Sequence, residues 1–170
     1  MVAGLEQRLK SQIVIDAEGE LPEFLERREG WTGIILHTSL KVRRVYRAWR
    51  DGFLFLHELQ KDPANPSKFH THPGKMWVAQ KAGLYRMDVA YDQEKAPKEG
   101  EYETKIINAD DKYYLGANDW HRIQPLTPQT RSVVVVQDWH PPAISNIKVD
   151  QMTSRELQQH LEQFKVYQYI

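Results

Sequence analysis

Two histidines separated by a single residue offer the first chemistry in this sequence: His70 and His72, in the run Lys68-Phe69-His70-Thr71-His72-Pro73. On an extended strand, residues two apart project from the same face about 6 to 7 Å apart at the backbone, which lets both imidazoles reach one ion. The same alternation sets Lys68 beside them, and three polar groups in a row are costly in a core unless something pairs them. A metal ion is one such partner, and an ordinary exposed strand bearing two histidines is the other reading. The chain contains no cysteine, which excludes disulfides, thiolate nucleophiles, iron–sulfur clusters and sulfur-built zinc sites. Any metal here is held by nitrogen and oxygen.

The surroundings of the pair resemble the cupin superfamily, whose first motif is G-x5-H-x-H-x3,4-E-x6-G and whose second is G-x5-P-x-G-x2-H-x3-N. His70-Thr71-His72 is followed by Met76 in the glutamate position and then by Gly83. Downstream, Gly116-Ala117-Asn118-Asp119-Trp120-His121 places His121 after a turn-forming cluster, with Gly116 where the motif has proline and Asn118 where it has glycine. The similarity runs roughly from Arg47 to Pro141, and His72-Pro73 through Gly83-Leu84-Tyr85 also resembles small bacterial and viral cupins with an HxHP...G-x-Y pattern. The resemblance implies an all-β cupin double-stranded β-helix, a jelly-roll barrel, with one divalent ion on His70, His72 and His121. A thioether at Met76 is a poor ligand for a hard divalent ion, so the implied donor set is three neutral imidazoles with open coordination positions, an arrangement suited to catalysis. Met76 then fills space in the core or lines the cavity. Among cupins this pattern resembles the thiol dioxygenases and some diketone-cleaving dioxygenases, which makes Fe(2+) the first choice of metal, ahead of Zn, Mn, Ni and Cu.

A second group lies ten residues beyond His121, where Arg131 opens the strand Ser132 to Trp139. The interval resembles that of 2-oxoglutarate oxygenases, in which an arginine binds the cosubstrate's far carboxylate, and Arg131 through Trp139-His140-Pro141 resembles the end of the aspartyl/asparaginyl hydroxylases. Those enzymes lack an HxH pair, so 2-oxoglutarate stands behind a cosubstrate-independent dioxygenase, and a surface charge at a hairpin edge is the plainer reading of Arg131. His57, Gln80, Tyr85 and Arg86 are candidates to line the pocket, with a half-exposed strand position as the alternative for each. Trp77, Trp120 and Trp139 are candidates for its apolar wall or for simple core, and His37 and His160 are assigned to structure or surface. Two further functional classes remain open: a redox-inactive metal-dependent isomerase, lyase or hydrolase, and a small-molecule-binding cupin without turnover.

These side chains need a rigid frame. From Ile34 the texture becomes short runs rich in β-branched and aromatic residues, over Ile34 to His37, Val42 to Trp49, Phe53 to Leu59, Met76 to Gln80, Leu84 to Tyr91, Thr104 to Ile107, Tyr113 to Leu115 and Ser132 to Trp139. Turn clusters such as Asp51-Gly52 and Ala96-Pro97-Lys98-Glu99-Gly100 separate them, and residues 121 to 126 with 131 to 139 form an expected hairpin. Before them, Leu5, Leu9, Leu21, Phe24 and Leu25 recur at helical spacing, predicting one or two short helices with Pro22 in a first turn. After them, Thr153 and Glu156 form a capping box for a helix over about 153–166. The expectation is a single cupin domain over 1–170, with an N-terminal helical segment 1–31 and a barrel core of about 32–142.

With 170 residues the chain is long enough for one sizeable core, and its 23 basic and 23 acidic side chains cancel. That balance removes the basic surplus needed for nucleic acid or an anionic membrane surface. No apolar run approaches a membrane span. A soluble cytoplasmic protein is expected, acting on a small-molecule substrate, with a homodimer as the partner arrangement the resemblance implies.

Overall fold

The structure, a computed structural model, describes residues 2–26, 31–37, 42–60, 68–138 and 146–148, with 155 and 159, and the side chains of 11–25, 44–59 and 68–138 among them. One long helix, α1 (Val2–Glu26), precedes ten strands: β1 (Trp31–His37), β2 (Val42–Trp49), β3 (Gly52–Gln60), β4 (Lys75–Ala82), β5 (Tyr85–Ala90), β6 (Glu103–Ile107), β7 (Lys112–Leu115), β8 (Trp120–Pro125), β9 (Gln129–Gln137) and β10 (Asn146–Lys148). The strands form a seven-stranded sheet ordered β10-β1-β2-β3-β9-β4-β7 and a three-stranded sheet ordered β6-β5-β8. All the pairings recorded within them are antiparallel. A single bridge between His70 and His121 adds the 68–72 segment beside β8. From β4 to β9 the chain crosses between the two sheets four times, at β4–β5, β6–β7, β7–β8 and β8–β9, which makes this an all-β cupin barrel.

Alternation along each strand builds two apolar layers. On β3, Leu54 and Leu56 face one way and join Val45, Ala79, Val133 and Val135 beneath α1, whose Val14, Ala17, Leu21 and Leu25 recur at helical spacing. Phe55 faces the other way, into the barrel interior, with Tyr46, Met76, Val78, Tyr85, Met87, Val89, Leu115, Val134 and Val136. Being covered on both faces is why β9 reads as an unbroken run of valines rather than an alternating strand, Val133 to Val136 being at most 7% exposed.

The elements depart from the sequence expectations at the N-terminal helix and at the hairpin expected over 121–139. The N-terminal segment is one continuous helix, and Pro22 lies inside it rather than in a first turn. Packing of its four apolar contacts against the sheet outweighs the local cost of about 3 kcal/mol for an internal proline. Residues 121 to 126 do not form a hairpin with 131 to 139, because β8 pairs with β5 while β9 inserts between β3 and β4. The crossing at 126–128 is pinned beside the β4–β5 turn, where Leu84 N donates to Thr127 Oγ1 and Leu126 N donates to Leu84 O. That turn requires Gly83, which has φ +74° and would drive a Cβ to 2.3 Å from Gln129 O. The other strand expectations match the elements to within a few residues. Arg155 and Gln159 are helical and exposed, and the rest of the expected C-terminal helix lies outside the described residues, as do Trp139 and His160.

Candidate metal centre

His121 enters the barrel from β8 just after a tight turn. The Asp119 carboxylate accepts from Gly116 N at 2.6 Å and from Asp92 N at 2.9 Å, while Asp119 N donates to Gly116 O. His70 lies opposite on the 68–72 segment, each backbone amide donating to the other's carbonyl at 3.0 Å. The segment is irregular rather than the regular strand expected, yet it still brings His70 and His72 together, with ring centroids 5.1 Å apart. His121 is 4.3 Å from His70 and 5.1 Å from His72 by the same measure. Gly74 ends the segment against β9, where a Cβ would meet Gln137 O at 2.1 Å.

Each of the three rings offers a nitrogen within 4.8 Å of the others. His70 Nδ1 bonds Lys68 O at 2.8 Å and His121 Nδ1 bonds Asp119 O at 3.0 Å. A carbonyl can only accept, so in both rings Nδ1 carries the proton and Nε2 keeps its lone pair. An ion about 2.1 Å from three nitrogens sets them roughly 3 to 3.5 Å apart, so a pair at the 4.8 Å limit draws in by roughly 1.3 to 1.8 Å on binding. Burial is the main influence that holds all three rings below the usual imidazole range. His72 falls to about 3, with His121, His70 and Arg44 adding to the burial effect. His121 falls to about 4, burial and His70 outweighing the opposing hydrogen bond and charge of Asp119. His70 is lowered by burial and by Arg44, against the hydrogen bond its Nδ1–H donates to Lys68 O. Neutral imidazole is the form that ligates a metal, so the donor set fits a divalent cation.

Of the other expected site residues, His57 faces inward beside this cluster. It is held well below its ordinary range by burial, then by the charges of Arg44 and His72. Met76 lies on the inward face of β4, opposite Leu115 and Val136, as part of the apolar interior. Tyr85 also points inward, but it pairs with Tyr113 through its hydroxyl and sits opposite Pro125, whereas His121 lies opposite Val89. Four residues along β5 is about 13 Å, so Tyr85 belongs to the barrel floor rather than to the histidine level. Trp120 lies on the face of β8 opposite to His121 and donates its indole N–H to Gln93 O, and Trp77 packs in the layer under α1. Neither forms the expected wall. Gln80 is fully buried and committed to Ala82 O, Gly83 O and Ser132 Oγ.

Arg131 corrects an expectation. It shares the strand face of Val133 and Val135, on the α1 side of the sheet, and its Nη2 lies 3.4 Å from Glu58 Oε2 in a pair almost wholly removed from water. Gln129 Oε1 accepts a further hydrogen bond from it. A guanidinium turned away from the histidines and already matched with a carboxylate is structural, and the 2-oxoglutarate alternative loses its arginine.

Sequence reasoning missed the cation that does face the site. Arg44 on β2 stands opposite His57 on β3, on the face that carries Tyr46 into the barrel interior. Burial lowers its guanidinium to about 10, and its charge is felt by His57, His70 and His72. Among the described residues no carboxylate forms an ion pair with it, in contrast to Arg131 with Glu58, Arg122 and Arg86 with Asp88, and Arg50 with Asp16. The available signal was parity with Tyr46, which the neighbouring basic residues of the run Val42-Arg43-Arg44-Val45-Tyr46-Arg47 obscured.

No protein-family model and no curated protein matches the sequence. Among solved structures the chain is similar to hydroxypropylphosphonic acid epoxidase from S. wedmorenis, at 10% identity and a TM-score of 0.49, over 62% of this chain and 55% of that one. It thus spans about half the length of that protein. It is also similar to a protein of unknown function from Acinetobacter sp. ADP1, at 10% identity and a TM-score of 0.49, over 65% of this chain and 98% of that one. Both are distant likenesses, and it is the strand order itself that identifies the barrel.

Proposed function

We propose that this protein is a metal-dependent cupin enzyme that holds one ferrous ion on His70, His72 and His121, the first and last through Nε2, and oxidises a small anionic molecule with dioxygen. The observation that carries this reading is the convergence of three neutral imidazoles, two of them oriented by backbone carbonyls, at one end of an apolar barrel. When bound, the ion supplies a Lewis acid with open positions and, as iron, access to oxygen chemistry. The chain's own residues do the rest. Arg44 receives the negative group of the substrate, since a divalent ion beside an arginine with no carboxylate partner among the described residues makes the chamber cationic. The interior around Phe55, Met87 and Val134 keeps water from the reacting centre. Three neutral imidazoles equally suit zinc, which favours a second reading: Lewis-acid isomerase, lyase or hydrolase chemistry on the same substrate class.

Metal analysis of protein purified without added metal, combined with an oxygen electrode and a panel of small carboxylic and phosphonic acids, tests the proposal. Retained iron with acid-dependent oxygen uptake supports it. Zinc with full turnover under anaerobic conditions supports the second reading instead, and the absence of metal after reconstitution with iron or zinc rejects both.

A further inference from the structure

The outer face of the three-stranded sheet carries a polar cluster directly behind the histidines. Asp88 on β5 is 3% exposed and accepts three hydrogen bonds: from Arg122 Nε at 2.7 Å, Thr104 Oγ1 at 2.7 Å and Arg86 Nε at 3.1 Å. Arg122 is the neighbour of His121 on β8 and points to the opposite face. Its guanidinium lies 4.4 Å from the ring centroid of Phe69 and 5.1 Å from that of Tyr102, and its Nη2 donates to Tyr102 Oη. The Phe69 and Tyr102 rings are themselves 5.2 Å apart. Phe69 is the neighbour of His70 on the other strand of the bridge.

We infer that Arg122, braced by Asp88, is a positioning residue that clamps Phe69 and thereby fixes the orientation of His70 toward its partner ligands. The 68–72 segment is joined to β8 by one bridge, whose two hydrogen bonds alone leave it free to rotate about its own axis. Rotation would swing His70 out of the cluster. With Phe69 held under a planar cation on the outside, His70 on the next residue is held to the inside, because successive side chains point to opposite faces. Asp88 is buried between Arg86 and Arg122, so the guanidinium plane is set from the sheet and not by the mobile end of a surface side chain. This inference rests on the metal-binding reading of the three histidines.

The test is zinc affinity of the full chain, by competition with a chromophoric chelator, together with the visible absorption of the cobalt-loaded protein and the melting temperature of the metal-free protein. Arg122→Lys keeps the charge near Asp88 but loses the planar contact, and Phe69→Leu keeps an apolar side chain but loses the ring. Each is expected to weaken zinc binding about ten- to a hundredfold and to change the cobalt spectrum, with the metal-free melting temperature close to that of the wild type. Wild-type affinity and spectrum in Phe69→Leu would overturn the proposal, and so would a loss of affinity accompanied by a matching fall in metal-free stability. Failure of the wild type to bind zinc or cobalt would instead overturn the metal-binding reading.

Discussion

His70 and His121 face one another across a single antiparallel bridge, and each ring is anchored in the same way, through Nδ1 to the carbonyl two residues before it. The backbone thus sets the tautomer of both candidate ligands, leaving Nε2 of each with its lone pair. Alanine at His70, His72 or His121 is expected to lower zinc affinity more than about a hundredfold, beyond what loss of an orienting partner costs. The far-ultraviolet dichroism should keep its β signature, because the barrel is held by its apolar layers. Titration calorimetry with dichroism on the same samples checks both halves of the expectation.

Arg44 predicts a preference for anions. Glycolate should bind the zinc-loaded protein at least tenfold more tightly than glycolamide, and Arg44→Met should remove most of that difference while leaving zinc affinity equal or higher, because a cation beside the ion is gone. Calorimetry with both ligands measures it. Equal glycolate binding by the two proteins would reject an anionic substrate.

Arg131 and Glu58 should behave as a structural pair. Removing either partner leaves the other charge buried, so Arg131→Ala and Glu58→Gln are each expected to cost about 3–5 kcal/mol of unfolding free energy. Replacing both with methionine should recover most of the loss. Urea unfolding reads the stability, and glycolate binding by the double variant should match the wild type if the pair has no part in the site.

Asp88 carries a pH signature. Burial pushes its carboxyl up, but hydrogen bonds from Thr104, Arg122 and Arg86, with the charge of Arg86, outweigh that and hold it below the ordinary range. A folded value below the unfolded one gives stability that is present above about pH 4 and lost as pH falls through the folded value. Thermal melts of the metal-free protein between pH 3 and pH 7 should therefore show a steeper acid limb for the wild type than for Asp88→Asn. At neutral pH the variant should be less stable by about 1–2 kcal/mol, a modest figure because both arginines remain partly in water.

The barrel and its histidines were legible because their signals are local. The runs around Val42 to Trp49 and Phe53 to Leu59 announce strands by composition, and His70-Thr71-His72 needs only a period of two to share a face. What the sequence could not show was which sheet each strand joins. Residues 121 to 126 and 131 to 139 look like a hairpin because they are close in sequence, yet β8 and β9 lie in different sheets. That single topological fact separates Arg131 from His121. It also explains why Arg44, far from the histidine motifs in sequence, was passed over: its place across from His57 follows from cross-strand register, which no local pattern encodes. The Trp77 and Trp120 expectations failed for the related reason that aromatic composition does not reveal side-chain direction.

The position of β9 bears on the order in which the molecule can assemble. It is the ninth strand in sequence but lies inside the larger sheet, where it joins β3 to β4. A nascent chain emerging from the ribosome can pair β1, β2 and β3 early, while β4 and β7 wait on a separate ribbon. Until residues 129–137 are available, both pieces present an open edge beside apolar faces. Such a chain gains its largest cooperative step late and from contacts distant in sequence, which slows folding and lengthens the exposure of sticky edges. Translation past β9 is thus the event that closes the fold, and premature termination before Gln129 should yield aggregation-prone fragments rather than a smaller soluble barrel.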